Sequence, residues 1–220
     1  GLPYNYYKNL KIRKYGFHGS SHHYVATEAS RILKKPLNKL KLITCHLGNG
    51  CSITAIDKGK SIDTSMGFTP LEGLVMGTRC GDVDPALITH IMHKKKLDTK
   101  QMDRILNKES GLKGISGISN DMRLLEEKAN TGNKRAKLAV DIFVYRIRKY
   151  IGAYLAALGG LDALIFTAGI GENQAGVRNS ICQGLFSGLI KKPKIMVIPT
   201  NEELMIARQT YKLIKEKIAC

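Results

Sequence analysis

The run LITCHLGNGCSITAIDKGKSIDTS, residues 42–65, decides the fold class. LITCH (42–46) is a short apolar, β-rich segment closed by a turn containing GNG. SITAID (52–57) and KSIDTS (60–65) repeat the pattern across a second turn containing DKG. Strand segments separated by so few residues pair as hairpins, so three strands in antiparallel-type order are expected here. Upstream, residues 20–34 carry a helical pattern. Downstream, the spacing is helical from 84 to 158, through DPALITHIMHKK, DTKQMDRILNK, NDMRLLEEKAN and an amphipathic run from about 133 to 158. ALIFTA (163–168) and KIMVIP (194–199) are buried-type strands, each followed by a helix start. The expectation is an α/β fold: three antiparallel-type strands, a helical insertion, and two strand-to-helix units completing a mixed five-stranded sheet. No internal repeat or low-complexity linker interrupts it.

Composition bounds the function. A chain of 220 residues with 22 glycines and no Trp buries one or two cores and needs many tight turns. Lys and Arg number 35 against 18 acidic residues, but the basic residues are spread along the chain, as in KKK (94–96) and KRAK (134–137). That spread favours solvated helix faces over a nucleic-acid groove. Cysteines at 45, 51, 80, 182 and 220 are odd in number and lack CxxC spacing, which suits a reduced, cytoplasmic chain with Cys45 and Cys51 as small strand residues. No secretory signal pattern is visible. The long low-charge stretch from 151 to 171 is broken by Gly159, Gly160 and Asp162 and is expected to turn rather than to cross a membrane.

Several segments carry candidate chemistry. FHGSSHH (17–23) has two readings. His18 and His22, one helical turn apart, have zinc-ligand spacing. Alternatively Gly19 breaks the chain, Ser20 or Ser21 caps a new helix, and His18 sits in a loop beside a helix N-terminus, where anions bind. In CHLGNGCS (45–52), Gly48 and Gly50 free the turn backbone to approach a phosphate, a pattern also common in unliganded hairpins. FTAGIGENQAGVR (166–178) runs from a buried strand into Gly169 and Gly171 and then a helix, an anion cradle that is neither GxGxxG nor a Walker A loop. SMGFTPLEGLVMGTRCGDVDP (65–85) is irregular and holds Arg79 among glycines, placed either for a surface ion pair or for a transferring phosphoryl group. In TNEEL, Glu202 reads by itself as a first-turn helix carboxylate.

The segments RKYGFHGSSHHYV, ITCHLGNGCSITAI, GKSIDTSMGFTPLEGLVMGTRCGDVDPA, NDMR, FTAGIGENQAGVR and VIPTNEELMIARQT resemble, in order, those of the acetate kinase family. The resemblance implies a ribonuclease-H-like mixed sheet with helices on both faces, of the actin and sugar-kinase superfamily. It implies that His18 and Arg79 stabilise the transferring phosphoryl group; His22 and His23 are expected to be structural, since no third ligand or HExxH glutamate accompanies them. His46, Leu47, Gly48, Asn49 and Gly50 would form one nucleotide loop, Asp121, Met122 and Arg123 the nucleoside segment, and Gly169, Ile170, Gly171, Glu172 and Asn173 a second nucleotide loop. Glu202 would be a carboxylate for Mg2+, or for Mn2+ in its place, with Glu203 as its neighbour. Implied substrates are ATP with acetate, giving ADP and acetyl phosphate; propionate or butyrate as acceptor, or a non-catalytic nucleotide-binding or dimerisation module, are the alternatives. Residues 1–18 correspond to a linker and 19–220 to the C-terminal domain. The family's N-terminal half, with its magnesium-contacting Asn, phosphate-contacting Lys, acetate-contacting Arg and catalytic Asp, has no counterpart here. Ser20 and Cys80 replace an expected Thr and Ser, and GLFSGLIKKPKI is shorter than usual. A homodimer is implied, for which the apolar stripe Ala139, Val140, Phe143, Val144, Ile147, Ile151, Tyr154 and Leu155 is the candidate surface.

Overall fold

The computed structural model describes residues 1–218. Five strands form one sheet: β1 (Lys41–Leu47), β2 (Cys51–Asp57), β3 (Lys60–Thr64), β4 (Ala163–Thr167) and β5 (Lys194–Val197), in the order β3-β2-β1-β4-β5. The β1–β2 and β2–β3 pairs are antiparallel, while β4 pairs in parallel with both β1 and β5. The expected mixed sheet is therefore observed, with hairpins at one side and crossovers at the other.

Strand periodicity divides the core. Ile43, Cys45 and Leu47 of β1, Cys51, Ile53 and Ala55 of β2, and Leu164 and Phe166 of β4 belong to one cluster, covered by the helix α7 (Lys134–Leu158). Leu42, Ile56, Ala163 and Ile165 face the other way, onto Val25, Ala26 and Ala29 of α2 (Gly19–Leu33). Cys45 and Cys51 are thus buried strand residues, free of any disulfide, and Cys220 lies outside the described residues.

Helix α7 corrects one expectation. Ala136, Ala139, Phe143, Ile147, Ile151, Tyr154 and Leu158 recur every three or four residues and are all buried against the sheet and its flanking helices, with Val140, Val144 and Leu155 packed beside them. The stripe is core and does not present a surface for a second copy. Full burial of a side chain such as Phe143 contributes about 2–3 kcal/mol, which an exposed stripe would forgo.

The insertion holds α3 (Pro85–Lys95), α4 (Thr99–Arg104), a π-helical turn (Ile105–Glu109), α5 (Gly111–Ser116) and α6 (Met122–Asn130). The π-helical turn continues the helical run DTKQMDRILNK with a wider pitch that the pattern does not signal, while α5 and α1 (Tyr4–Leu10), the latter with no buried residue, fall outside the segments that read as helix. Between β4 and β5 the chain forms α8 (Ala168–Asn173) and α9 (Ala175–Cys182), and it closes with α10 (Glu202–Ile218). No described helix is long and apolar enough to cross a membrane.

Candidate active site

The sheet's α2-facing side is apolar at one end and polar at the other. Thr44 and His46 of β1 lie directly opposite Thr54 and Ser52 of β2, so all four side chains share one face near the GNG turn. The N-terminus of α2 crosses this polar end. His18, immediately before the helix, adopts a left-handed conformation with φ 59°.

Neither Ser20 nor Ser21 caps α2, contrary to expectation. Ser21 Oγ lies 2.8 Å from His46 Nδ1 and accepts a hydrogen bond from the Thr200 hydroxyl, also at 2.8 Å. Leaving a buried imidazole nitrogen unpaired costs more than leaving a helix-end N–H without a side-chain cap, which decides where the hydroxyl goes. The zinc reading fails on similar grounds: both ring nitrogens of His22 are occupied, Nδ1 by Thr44 Oγ1 and Nε2 by Ser52 Oγ, each at 2.7 Å. His18 stacks on His46 with ring centroids 4.0 Å apart. Burial, and the other histidines, lower His22 to about 3 and His46 to about 4; burial, then the Arg79 guanidinium, lowers His18. The cluster is therefore neutral at pH 7, and Arg79 is the fixed cation beside it.

Arg79 reaches this cluster from the irregular segment 65–84. Residues 76–80 are held by the insertion, through Cys80 N to Leu106 O, Ser110 N to Thr78 O and Leu112 N to Met76 O at 2.8–3.1 Å. Gly111 has φ 62°, and a Cβ there would fall 2.2 Å from Met76 O. The glycine is required because the insertion backbone lies against the loop. Arg79 Nη1 donates to Pro70 O at 3.1 Å. A Cβ on Gly50 would meet Arg79 Nη1 at 3.3 Å and His18 Nε2 at 3.6 Å, so cation, imidazole and glycine turn converge on one point.

Next to that point opens a cleft of about 400 Å³. Gly48 and Asn49 line it from the first turn, Asp121, Met122 and Arg123 from the start of α6, and Gly169, Ile170 and Asn173 from α8. Gly77 N donates to Asn49 O at 3.1 Å and Asn120 Nδ2 to Asn49 Oδ1 at 2.9 Å, which ties the first turn to the Arg79 segment and to the entrance of α6. Asp121 caps α6 through Arg123 N and pairs with the Arg123 side chain, whose hydrogen bonds hold its carboxyl below the usual range.

Other candidate residues point elsewhere. The Leu47 and Met122 side chains are in the core. The glycines 169 and 171 lie inside the helical turn α8 rather than in an open loop, entered through Ala168 with φ 64°. Glu172 is turned inward, where its Oε1 accepts from Ala168 N at 2.7 Å and Thr200 N at 3.3 Å, so it fixes the turn. Glu202 opens α10, two residues after Thr200. Thr44, Ser52, Gly77, Asn120 and Thr200 do not stand out in the sequence, and Ser21 does so only as a helix-cap candidate. The only available signal is the polar alternation Thr44-x-His46 and Ser52-x-Thr54 in otherwise apolar strands.

The profile of the acetokinase family matches residues 1–191. The chain belongs to the acetokinase family. It is 57% identical over 234 residues to an acetate kinase of Halothermothrix orenii, covering 97% of this chain and 59% of that one. It is 55% identical over 237 residues to an acetate kinase of Dictyoglomus turgidum, covering 99% and 58%. In structure it is similar to Porphyromonas gingivalis acetate kinase, with a TM-score of 0.91, 42% identity, and 97% of this chain covered against 59% of that chain. A Francisella tularensis propionate kinase gives 0.88, 45% identity, and 94% against 58%. This acetokinase chain thus spans about three fifths of the length of the relatives it matches. Strands β1 to β4 and the histidine cluster lie within the matched residues 1–191, and β5 and Thr200 lie beyond them.

Proposed function

We propose that the chain is the C-terminal, nucleotide-binding portion of an acetate kinase, which exchanges a phosphoryl group between ATP and acetate to give ADP and acetyl phosphate. Residues 19–220 are the domain and 1–18 the linker into an N-terminal half carrying the acetate-contacting Arg and the catalytic Asp. The observation that carries this reading is the convergence of Arg79 Nη1 and His18 Nε2 on Gly50, beside a cleft built from two glycine segments.

Acetate is ionised at neutral pH, so no general base is needed, and the barrier lies in bringing two anions together. Arg79 supplies a fixed positive charge to the equatorial oxygens of the transferring group. His18, kept neutral by burial and by Arg79, supplies a ring N–H to the same group. The missing side chain at Gly50 leaves the gap that this group would fill. The turn at Gly48 and Asn49 holds the nucleotide phosphates, and the start of α6 the nucleoside.

Glu202 suits Mg2+ chemistry, because that ion takes one or two carboxylates and fills its remaining positions with phosphate oxygens and water. Among the described residues no group of three His, Cys, Asp or Glu side chains would hold a metal without such help. When bound, the ion neutralises charge on the nucleotide phosphates, and Mn2+ would serve in its place. The protein acts as a cytoplasmic homodimer whose pairing surface is not the α7 stripe.

Titration of Mg-ADP into the chain, followed by amide chemical shifts, tests the reading. Weak saturable binding with shifts at Gly48, Asn49, Asp121 and Gly169 is expected, without phosphorylation of acetate by this chain alone. Shifts confined to another surface, or none at millimolar ADP, would overturn it.

A further inference from the structure

Ser52 touches two imidazoles at once. Its Oγ is 2.9 Å from His18 Nδ1 and 2.7 Å from His22 Nε2. The hydroxyl has one proton, so it donates to one ring and accepts from the other. The direction is set one link further on. Thr44 is fully buried, and the one hydrogen-bond partner of its hydroxyl among the described residues is His22 Nδ1, at 2.7 Å. A buried hydroxyl with a single neighbour donates to it, because the reverse arrangement strands its own proton, at a cost of about 1–3 kcal/mol. His22 Nδ1 is then the acceptor and, in the neutral ring, Nε2 carries the hydrogen and donates to Ser52. Ser52 in turn donates to His18 Nδ1. The His18 hydrogen is left on Nε2, the nitrogen that faces Gly50 and Arg79.

We propose that Thr44, His22 and Ser52 form a one-directional hydrogen-bond relay that fixes His18 as its Nε2–H tautomer and aims that hydrogen at the phosphoryl position. They are positioning residues for the reaction, and this role rests on the proposed acetate kinase reading. The opposite relay polarity would present a bare lone pair to an anionic phosphoryl group. A neighbouring chain of hydrogen bonds has the same sense: Thr200 donates to Ser21, whose remaining proton goes to His46 Nδ1, so the stacked His46 ring also carries its hydrogen on Nε2. The strand register makes both relays possible, because Ser52 is the Cα partner of His46 and Thr44 lies two residues before it on the same face. Neutrality of His22, whose pKa burial lowers to about 3, keeps the relay in one protonation state across physiological pH.

The test is long-range 1H–15N correlation of the histidine rings in the 220-residue chain, without nucleotide, acetate or metal. His18 is expected as a single Nε2–H form. Ser52→Ala should convert it to a mixture of both tautomers, Ser52→Thr should restore the single form, and Thr44→Val, which touches neither His18 nor Arg79, should shift it in the same direction as Ser52→Ala. A parent His18 carrying its hydrogen on Nδ1 would overturn the relay, as would a His18 unchanged by both Ser52→Ala and Thr44→Val. Amide dispersion shows whether each variant folds; if Ser52→Ala does not, the parent spectrum and Thr44→Val decide. None of these measurements uses turnover, so the relay stands or falls separately from the phosphorylation of acetate.

Discussion

Lowering the pH from 7 to 5 should destabilise this chain far more than its carboxylates would predict. His22 and His46 are held in the folded state at about 3 and about 4, chiefly by burial, so both remain neutral at pH 5. In the unfolded chain a histidine has a pKa near 6.5 and is almost fully protonated at pH 5. The unfolded state therefore binds more protons, and stability present above about pH 6.5 is lost as the pH falls toward the folded values. Each of the two histidines removes about 2 kcal/mol between pH 7 and 5, or about 4 kcal/mol together. Asp and Glu titrate mostly below this window, so the loss belongs to the imidazoles. Against a typical domain stability of about 5–15 kcal/mol this is a large fraction. With a urea slope of about 2–3 kcal/mol per molar, the unfolding midpoint should move down by about 1.5 M. His22→Gln, which keeps a polar group in the relay but cannot titrate, should show a pH dependence smaller than the parent's by about 2 kcal/mol. Equal midpoints at pH 7 and 5 in the parent, or equal pH slopes in parent and variant, would refute the assignment of buried neutral imidazoles.

Other substitutions probe the loop, the core and the chemistry. A Cβ at Gly77 would lie 2.1 Å from Asn49 Oδ1, so Gly77→Ala should displace Asn49 and break its bond to Asn120; calorimetry should show ADP affinity reduced about tenfold, equivalent to about 1.4 kcal/mol. Phe143→Ala should cost about 3–5 kcal/mol in urea unfolding, and a loss below about 1 kcal/mol would remove the α7 stripe from the core. In the chain joined to an N-terminal half, His18→Ala and Arg79→Ala should each lower kcat about 10²-fold or more. The KM for ATP should change by less than about threefold in either variant, since a larger rise would indicate ground-state binding instead.

What the sequence made legible follows from how local each signal is. The strands 42–46, 52–57 and 163–167 are apolar, β-rich runs bounded by turn residues, and the pairing of the first two follows from their short connection, so the hairpin and the insertion are readable in advance. The helix α5 is hidden because GLKGISG carries glycines that read as loop; its first turn is fixed instead by contacts with residues 76–78, more than 30 positions earlier. Periodicity showed that α7 has an apolar face but not which surface covers that face, which is why a core stripe looked like an interface.

The site was divided in the same way. Glycines at 48 and 50 announce a turn that side chains would block, and Arg79 stands out in a loop of small residues. Yet Glu172, one of the residues the family resemblance had offered to nucleotide, spends its carboxylate on Ala168 and Thr200. Asp82 likewise joins the Arg79 segment to α7 by accepting from Gly73 N, Tyr150 Oη and Arg146, partners up to 68 positions away. Hydrogen bonds of this kind depend on which elements the fold brings together, and single-sequence spacing does not encode that. The relay from Thr44 to His18 is the extreme case, since four residues on two strands and a helix entrance act as one unit only after the sheet register has been set. A slip of β2 by one residue against β1 would turn Ser52 to the α7 face, leave His18 and His22 without their shared hydroxyl partner and put polar groups into an apolar core. In the proposed relay, the hydrophobic alternation that selects the register therefore also sets the tautomer of His18.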